Sequence, residues 1–430
     1  MRPLARLCLL CAGLLQVASV HAQTEESFYL SEDLEVPVSR YEAFTEDSPI
    51  LLWLPSSRGV SSRQAITASA LGDLDIETWV VDLHTAYFID PGGSSVSHFQ
   101  PGDISELISL AASQTTSKIY ILATGSVAEP ALEGIALYQQ RVELHTDSPR
   151  LGGAILFHPD LSQQAIEAGE SVDSLPIARN STIPIYHIQP SISTTYARSN
   201  ELQQVLQSGG SNVFYHPLPG IGVAYHLRPD HSLSEADIAQ RARLPQDLKR
   251  AIELLGTQKA AGIPSHAIVA TPEPGEPVQR YGLKRLESRQ AAPLALNDLL
   301  DAQSRAVDYS RNALTLVSFW ASWCPPCIKE LPSLHRLHED YREQGLEVIA
   351  VNVGETLDLL QPIIDEYKMD DYTNLSDPQS DTMTAWNIYA FPTNFLVTRE
   401  GLRSHGSIGG VDWDDPDVRE TVASLLDQNR

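Results

Sequence analysis

The segment from Leu314 to Ser333, LTLVSFWASWCPPCIKELPS, constrains the fold of this 430-residue chain more than any other. Its first seven residues are rich in β-forming types and the run is short, which predicts a buried β-strand. A turn and two cysteines follow, and Ile328–Leu331 begin a helical pattern. Prolines are tolerated in the first turn of a helix, where their missing N–H is not needed. The segment therefore predicts Cys324 at a helix N-terminus and Cys327 one turn inside the helix.

This placement predicts a redox chemistry for the cysteine pair. The N-terminal end of a helix carries a partial positive charge and free N–H groups, and both favour thiolate over thiol. In Cys-x-x-Cys motifs the pKa of the first cysteine falls from about 8.5 to about 7 or lower. Cys324 is therefore the predicted attacking thiolate, and Cys327 is the thiol that resolves the mixed disulfide.

Three other interpretations of the pair are a structural disulfide, half of a zinc site, and two unrelated thiols. A zinc site needs four ligands, and residues 23–430 contain no second cysteine pair. A structural disulfide stabilises more when it closes a long loop. The succession of strand, Trp-Cys-x-x-Cys and helix favours a redox pair over these alternatives, so no metal is expected.

Residues 292–430 resemble the TlpA/ResA-like branch of the thioredoxin superfamily. The resemblance rests on FWASWCPPC at 319–327, KELPSL at 329–334, GLEVIAVNVGE at 345–355, FPTNFLV at 391–397 and GGVDW at 409–413. It implies a thioredoxin-like, three-layer α/β/α domain. Its redox-active disulfide, Cys324–Cys327, would need no separate cofactor.

The same resemblance implies a set of supporting residues around the cysteines. Phe391, Pro392 and Thr393 match the family's cis-proline loop, which lies beside the active cysteines and pairs with substrate backbone. Proline is the residue that this loop requires, because a cis bond before any other residue is too costly. Three further supporting residues belong to the cysteine motif itself: Trp323, Pro325 and Pro326.

The proton route of the site is less determined by the sequence. Glu330 matches an acidic residue that some family members place three residues after the second cysteine, one helical turn away, where proton exchange with that thiol can occur. A solvated helix carboxylate is the alternative interpretation of Glu330. Ser318 stands where thioredoxins proper carry a buried Asp, so the sequence departs from the family here.

The first 22 residues match a secretory signal peptide. Two arginines precede the apolar run Leu7–Leu15, and VHA at 20–22 resembles a cleavage site. Cys8 and Cys11 would leave with this segment, and a secreted chain with one remaining cysteine pair is expected to use that pair in redox work. The signal and the family together predict the periplasm of a Gram-negative cell, and no later stretch is apolar for long enough to span a membrane.

The formal net charge of the chain is -25, from 30 basic and 55 acidic side chains. This charge argues against nucleic acid and anionic membrane surfaces as partners. The expected partners are proteins with thiols or disulfides. The family resemblance adds a membrane thiol transporter as the expected electron donor.

Residues 23–258 alternate short apolar runs with helical patterns, which predicts a parallel sheet covered on both faces. The acidic, poorly periodic stretch from Gln23 to about Asp47 is expected to be a loosely attached arm. The predicted strands are Ile50–Leu54, Thr78–Leu83, Lys118–Ala123, Gly153–Phe157, Ile183–Ile188 and Asn212–Leu218. The predicted helices are Arg63–Leu71, Ile104–Ser113, Leu161–Ala168, Thr195–Ser208 and Glu235–Leu255.

This order of elements resembles an α/β-hydrolase fold. LLWLPSSRG at 51–59 falls at the oxyanion loop, YILATGSVAEPAL at 120–132 at the nucleophile elbow, and VFYHPLPGIGVAYH at 213–226 near the catalytic histidine. The elbow needs G-x-S-x-G, but Ser126 lacks both flanking glycines, and in the neighbouring frame Gly125 takes the nucleophile position. Ser126 and His226 remain candidates for a divergent triad without a clear acid. The favoured interpretation is a domain that has lost catalysis and serves binding or scaffolding.

The remaining features of the sequence concern histidines, the linker and the C-terminal elements. Four histidines of the first domain show no metal-ligand spacing and are interpreted as core-edge or loop residues: His84, His158, His187 and His216.

Residues 259–291, rich in Pro, Ala and Gly, predict an interdomain linker with a short strand centred on Val269. The expected C-terminal elements are strands at Leu314–Phe319, Leu346–Val351, Asn394–Val397 and Arg403–Ile408, and helices at Cys324–Glu343, Leu357–Tyr367, Asp381–Tyr389 and Asp417–Asp427. For Trp413, a substrate surface and core packing are equal alternatives.

The sequence thus predicts an α/β protein with a hydrolase-like parallel sheet at 23–258 and a thioredoxin-like domain at 292–430. The predicted function is a periplasmic thiol-disulfide oxidoreductase that reduces protein disulfides. Reduction is favoured because the Pro-Pro dipeptide lacks a histidine that would stabilise the thiolate and shift the couple toward oxidation. The alternatives are a serine hydrolase with an auxiliary thioredoxin domain, and an oxidase or isomerase whose N-terminal domain is a binding module.

Overall fold

The computed structural model describes residues 23–258, apart from 32–33, 46, 146–149, 164 and 166, and residues 282–429. The described residues form two sheets of eight strands, one in each half of the chain. The predicted signal peptide at 1–22 and the predicted strand around Val269 lie outside the described residues.

The N-terminal sheet has the strand order β1-β2-β4-β3-β5-β6-β7-β8. Strands β3 to β8 run parallel, whereas β1 and β2 are antiparallel to their neighbours. The strands are β1 (Gln23–Tyr29), β2 (Glu35–Tyr41), β3 (Ile50–Trp53), β4 (Glu77–Val81), β5 (Ile119–Thr124), β6 (Leu151–Phe157), β7 (Ile185–Ile192) and β8 (Val213–Gly222). All residues of β3, β5 and β6 are buried, as expected for central parallel strands with helices on both faces.

Helices cover both faces of this sheet and enclose two apolar clusters. They are α1 (Ser62–Gly72), α2 (Leu83–Ala86), α3 (Pro101–Gln114), α4 (Ala128–His145), α5 (Pro176–Asn180), α6 (Ser199–Gly209) and α7 (Glu235–Gly256). The strand-helix alternation that the sequence predicts is therefore present, and each of the six predicted strands overlaps an observed one.

Three expectations for the N-terminal half are wrong or incomplete. The stretch 23–47 is not a loose arm, because β1 and β2 add two antiparallel strands to the sheet edge. The stretch 161–168 is not a helix in its described residues; Ser162 instead forms a β-bridge with Ser174. The long helix α4 was not predicted, because Pro130 and Gly134 weaken its helical pattern. Gly134 is needed there, since a Cβ would lie 2.7 Å from Ile104 on α3.

The C-terminal sheet has the order β11-β10-β14-β13-β12-β15-β16-β9. Its strands are β9 (Lys284–Gln290), β10 (Ala295–Asp298), β11 (Ser304–Ala306), β12 (Leu314–Trp320), β13 (Leu346–Val353), β14 (Thr373–Asp377), β15 (Thr393–Thr398) and β16 (Leu402–Ile408). Its helices are α8 (Pro325–Tyr341), α9 (Leu357–Tyr367), α10 (Asp381–Trp386) and α11 (Pro416–Gln428). The predicted linker is too long at its C-terminal end, because β9 pairs with β16 and belongs to this sheet.

The two halves pack against each other through both apolar and polar contacts. Ala168 of the first half belongs to an apolar cluster with Trp386 and Phe395 of the second. The guanidinium of Arg198 lies 4.2 Å from the ring centre of Tyr389 and donates a hydrogen bond to Asn387 (3.0 Å). These contacts fix which surface of the first domain faces the cysteine pair. Among the described residues, no helix combines the length and the apolar character needed to cross a bilayer.

Candidate functional site

The cysteine pair lies where the sequence predicts it. Cys324 is the N-cap of α8, and its sulfur accepts a hydrogen bond from the backbone N–H of Cys327 at 3.4 Å. The two residues form a disulfide, with their Cα atoms 5.3 Å apart. Cys324 is 5% exposed and Cys327 is fully buried. Cys324 is therefore the sulfur that a substrate reaches, and Cys327 is the sulfur that stays behind it.

The loop before β15 lies beside this pair. The Phe391–Pro392 peptide bond is cis, as the sequence predicts, and Thr393 begins β15 opposite Phe319 of β12. The ring of Phe391 lies 5.7 Å from the ring of Trp323, so the loop contacts the residue that precedes Cys324. Thr393 is buried and donates a hydrogen bond to the carbonyl of Ala390 (2.8 Å), which holds the loop closed.

Glu330 is a buried carboxyl and not a solvated helix residue. It is 3% exposed, and it lies one turn after Cys327 on α8. Burial raises its pKa from 4.5 to about 8, although hydrogen bonds from the Val411 N–H (3.0 Å), the Asn394 amide (3.4 Å) and the Ser318 hydroxyl (3.4 Å) act in the opposite direction. The site therefore contains an acid that exchanges its proton near neutral pH.

Ser318 explains how this site differs from that of thioredoxins proper. The strand β12 supplies a hydroxyl at this position, and the helix α8 supplies the carboxyl that accepts its hydrogen bond. The sequence did not identify Asn394 as a partner of Glu330, because the two residues are 64 positions apart and an isolated Asn in a strand carries no pattern.

A second buried carboxyl, Glu355, supports the loop that leads to Cys324. It accepts hydrogen bonds from the backbone N–H of Ser322 (2.7 Å) and the side chain of Asn352 (2.9 Å). Burial raises its pKa, and its hydrogen bonds and the charge of Arg228 in the N-terminal domain oppose that shift.

Trp413, for which the sequence left a substrate surface and core packing open, is fully buried, so it packs in the core.

A cavity of about 270 Å³ lies between the two domains and has Cys324 in its wall. The C-terminal domain lines it with Trp323, Cys324, Pro325 and Phe391. The N-terminal domain lines it with residues that follow the carboxyl ends of β3, β5, β6 and β8. Ligands of parallel α/β sheets bind at this edge, so the cysteine pair faces the place where the first domain would hold a ligand.

The wall opposite Cys324 contains the predicted elbow. Strand β5 ends at Thr124, and Gly125 then adopts a positive φ of 61°, a conformation that favours glycine. A Cβ at Gly125 would lie 3.5 Å from Cε1 of His158, the residue that follows β6. At the predicted nucleophile position, the neighbouring frame thus places Gly125, which has no side chain to offer.

The two hydrolase candidates are not joined in a catalytic pair. Ser126 lines the cavity, one residue after the strained position. His226 is fully buried, stacks on Phe157 with ring centres 4.1 Å apart, and places Nε2 3.4 Å from the hydroxyl of Thr124. Within the described part of the chain, no hydrogen bond links Ser126 to His226. Burial holds the pKa of His226 well below its usual value, so this histidine is neutral.

The other histidines fall into two groups. His84, His187 and His216 bond to neighbouring side chains: Ser95 (2.9 Å), Gln189 (3.0 Å) and Tyr186 (2.8 Å) respectively. His158 differs, because it lines the cavity and its Nε2 has no hydrogen-bond partner among the described residues. The sequence predicted His158 as a core-edge or loop histidine and did not single out Arg58, which also lines the cavity.

One group of described residues has the spacing of metal ligands. His335, Glu339 and Asp371 place one potential ligand atom each within 4.8 Å of one another. None of the three lines the cavity between the domains. This group therefore has no direct part in the cysteine site.

Comparison with known proteins gives matches in the C-terminal half of the chain. Residues 288–402 match the AhpC/TSA family. The chain is 34% identical over 129 residues to the thiol:disulfide interchange protein DsbE of Allochromatium vinosum, which covers 30% of this chain and 69% of that protein. It is 32% identical over 111 residues to the thiol-disulfide oxidoreductase ResA of Geobacillus kaustophilus, covering 26% of this chain. The thioredoxin-like fold predicted for the C-terminal domain is confirmed.

Two further comparisons mark the extent of the similarity. The ResA protein of Halalkalibacterium halodurans is 31% identical over 122 residues, which cover 28% of this chain and 68% of the relative. The chain spans 63% of the length of the Geobacillus kaustophilus protein. A secreted thiol-disulfide isomerase of Corynebacterium glutamicum aligns with a TM-score of 0.32 and 19% identity, over 36% of this chain and 96% of that structure.

Proposed function

Because this chain belongs to the ResA and DsbE family of thiol-disulfide oxidoreductases, we propose that it reduces disulfides with the Cys324–Cys327 dithiol. The observation that carries the proposal is the position of Cys324 at the N-cap of α8, in the wall of a cavity and beside the cis-proline loop. The α8 N-terminus favours the thiolate of Cys324 in the reduced protein.

The reaction uses the two sulfurs in sequence. The Cys324 thiolate attacks one sulfur of the substrate disulfide, forms a mixed disulfide and releases the first substrate thiolate. The Cys327 thiolate then attacks the Cys324 sulfur, closes the protein disulfide and releases the second. Two electrons pass from the cysteine pair to the substrate. Glu330, with its pKa near 8, is the group proposed to take the proton from Cys327.

The direction and the setting of this reaction are part of the proposal. Reduction is favoured because the Cys-Pro-Pro-Cys motif has no histidine that would stabilise the thiolate and make the pair a strong oxidant. The signal-peptide pattern of residues 1–22 supports a periplasmic location, and a membrane thiol transporter would supply the electrons. The redox-active disulfide is the only cofactor the mechanism needs. The substrates proposed at this stage are proteins with disulfides.

The N-terminal domain is proposed to bind and not to catalyse. Two observations support this role: a glycine occupies the elbow position, and Ser126 has no hydrogen bond to His226 among the described residues. Ester hydrolysis is therefore not proposed as a second function. The domain instead presents its ligand edge to Cys324.

The proposed function is tested by trapping and by the reduction potential. Cys327→Ala should accumulate a mixed disulfide between Cys324 and its substrate, because the resolving sulfur is absent, and Cys324→Ala is the control that should trap nothing. The potential of the pair, measured in a glutathione series, should lie near the reducing value of about -270 mV and not near the oxidant value of about -120 mV. Equal capture by both variants would refute the proposal, and a potential near the oxidant value would reverse its direction.

A further inference from the structure

The cavity between the domains is built mainly by the N-terminal domain. Ten of its fourteen lining residues come from that domain, and four come from the side of the cysteines. Cys324 is nearly buried, and its exposed surface lies in this wall. A substrate sulfur that approaches Cys324 through the cavity therefore meets the N-terminal domain as well.

The charges of the cavity wall favour an anion. Among the described residues that line it, Arg58 is the one charged side chain, and no carboxylate is present. This is notable in a chain with 55 acidic and 30 basic residues. Arg58 is exposed, and no carboxylate of the described residues forms an ion pair with it. A local positive charge in an acidic protein attracts anions to that place.

Two polar features of the opposite wall add to this preference. The 18-residue helix α4 begins just after Gly125 and Ser126, which line the cavity, so the positive end of its dipole lies near the wall, although Glu129 in its first turn offsets part of this charge. His158 is 9% exposed, lines the same cavity, and has an unpartnered Nε2 in the described part of the chain. Burial lowers the pKa of His158 to about 4, so its neutral imidazole adds a polar group to the wall without adding a charge.

The size of the cavity limits what can fill it. A volume of about 270 Å³ corresponds to about nine water molecules at roughly 30 Å³ each. This volume is close to the lower end of the range of small-molecule sites, about 300 Å³. It admits a compound of roughly a dozen heavy atoms, and a larger molecule can insert only a part of that size through its open side.

We propose that this cavity is the substrate site of Cys324 and that it selects small disulfides that carry a carboxylate close to the sulfur. The inference rests on the proposed disulfide reduction, and it assigns small disulfides to that reaction in place of protein disulfides. Arg58 holds the carboxylate, the α4 N-terminus and His158 complete the polar wall, and Trp323 and Phe391 flank the disulfide. Cys324 forms a bond to one substrate sulfur while the substrate S–S bond breaks; Cys327 then displaces that sulfur, and two thiols leave.

The test uses three small disulfides that differ in charge. Pre-reduced full-length protein is mixed with 3,3′-dithiodipropionate (dianion), 2-hydroxyethyl disulfide (neutral) or cystamine (dication), and the product thiols are quantified by chromatography. Each second-order rate constant is divided by that of the same disulfide with dithiothreitol, which corrects for intrinsic reactivity. We expect the normalised rate to be about two- to fivefold higher for the dianion than for the dication, the size of an exposed charge pair.

Matched variants assign this preference to the cavity. Arg58→Gln should bring the ratio close to one, whereas Arg243→Gln should leave it unchanged, because Arg243 is an exposed arginine of α7 that does not line the cavity. Raising the salt concentration should lower the ratio in the unmodified protein, which is an independent measure of the same interaction.

The outcomes separate this inference from the proposed function. If the reduced protein reacts neither with the three small disulfides nor with insulin, the proposed function itself fails. If it reacts with all three at equal normalised rates, or if Arg58→Gln keeps the preference, the carboxylate site is refuted while disulfide reduction stands. The inference would also be overturned if the protein reduced insulin faster than the dianion and Arg58→Gln did not change the rate with insulin. Protein disulfides would then reach Cys324 by another route.

Discussion

Replacing Glu330 by Gln should stabilise the C-terminal domain increasingly as the pH rises. The neutral acid and the amide have the same shape, and both keep one oxygen that accepts from the Val411 N–H. The Ser318 hydroxyl, which donates to the carboxylate, can rotate and accept from either neutral group. The ionised carboxylate differs, because it is 97% removed from solvent without a cationic partner among the described residues. The variant therefore removes the cost of burying a charge and retains the hydrogen bonds of the neutral form.

The sign and the magnitude follow from the pKa of Glu330. Burial raises this pKa from 4.5 to about 8. A carboxyl whose pKa is raised on folding stabilises the folded state fully below its unfolded pKa, and this contribution is lost as the pH rises toward the folded pKa. Between pH 5 and pH 8 the loss is about 3.5 kcal/mol, at about 1.4 kcal/mol per pH unit. The amide does not titrate, so the variant should gain this amount relative to the original protein.

The assay has to report on the C-terminal domain alone, and Cys327 provides the signal. In a chain that begins at residue 23 and carries Cys324→Ser, Cys327 is the one remaining thiol. It is fully buried, so its labelling by a maleimide requires the domain to unfold. The urea dependence of this labelling gives the free energy of unfolding of the domain at each pH, with and without Glu330→Gln.

The quantity to compare is the difference in unfolding free energy between the two chains from pH 5 to pH 8. Titrating groups that do not contact Glu330 are shared by the two chains and cancel in this difference. Glu343→Gln is the control, because its carboxylate is 90% exposed just after α8 and should give a flat difference. If the difference in unfolding free energy for Glu330→Gln also stays constant from pH 5 to pH 8, Glu330 does not have a raised pKa in the folded protein. The proposed proton transfer from Cys327 to Glu330 would then be refuted as well.

Three further predictions concern other parts of the chain. Gly125→Ala should destabilise the N-terminal domain by about 1 kcal/mol in thermal unfolding, because Gly125 has φ +61°; Gly93→Ala, with open space at its Cβ, should not. Arg198→Ala removes a guanidinium that lies 4.2 Å from the ring centre of Tyr389 in the other domain. Because the N–H of Val172 donates a hydrogen bond to the hydroxyl of Tyr389, hydrogen exchange at Val172 should accelerate about fivefold. Trp413→Ala should lower the unfolding free energy of the C-terminal domain by about 3 to 5 kcal/mol, as expected for a core tryptophan; a loss below about 1 kcal/mol would favour a surface role.

The parts of the fold that the sequence predicts well are those with strong local patterns. The run from Leu314 to Trp320 is buried at every position, and its apolar character is sufficient to identify a central strand. Cys324 is placed correctly because the prolines that follow it mark a helix start. The cis-proline at Phe391–Pro392 follows from a family motif, which local propensity alone would not have given.

The parts that the sequence predicts poorly are polar edge strands. In β1 the burial alternates between exposed and half-buried residues, and in β9 only Leu286 is buried. Such strands contribute little apolar surface, so they are held by backbone hydrogen bonds to a neighbour whose identity the local sequence does not show. This is why residues 23–47 resemble an arm and residues 284–290 resemble a linker until the pairing is known.

The cavity could not be predicted because its wall joins residues that are far apart in the chain. Arg58, His158 and Cys324 lie after three different strands in two domains, and none of the three belongs to a local pattern that involves the other two. The charge of the whole chain is misleading here, since a net charge of -25 says nothing about a wall with one arginine and no carboxylate among its described residues.

Gly125 lies where the N-terminal sheet and the thioredoxin-like domain both contribute to the wall of one cavity. A parallel α/β sheet binds ligands at the carboxyl ends of its strands whether or not it carries a nucleophile. Here Gly125 adopts a positive φ at the end of β5, and the sulfur of Cys324 lies in the opposite wall of the same cavity. In the proposed function, binding and reaction are therefore divided between the two domains. It follows that changes in the N-terminal wall should alter which disulfides react, whereas the intrinsic redox chemistry of the cysteine pair depends on α8, Glu330 and the cis-proline loop.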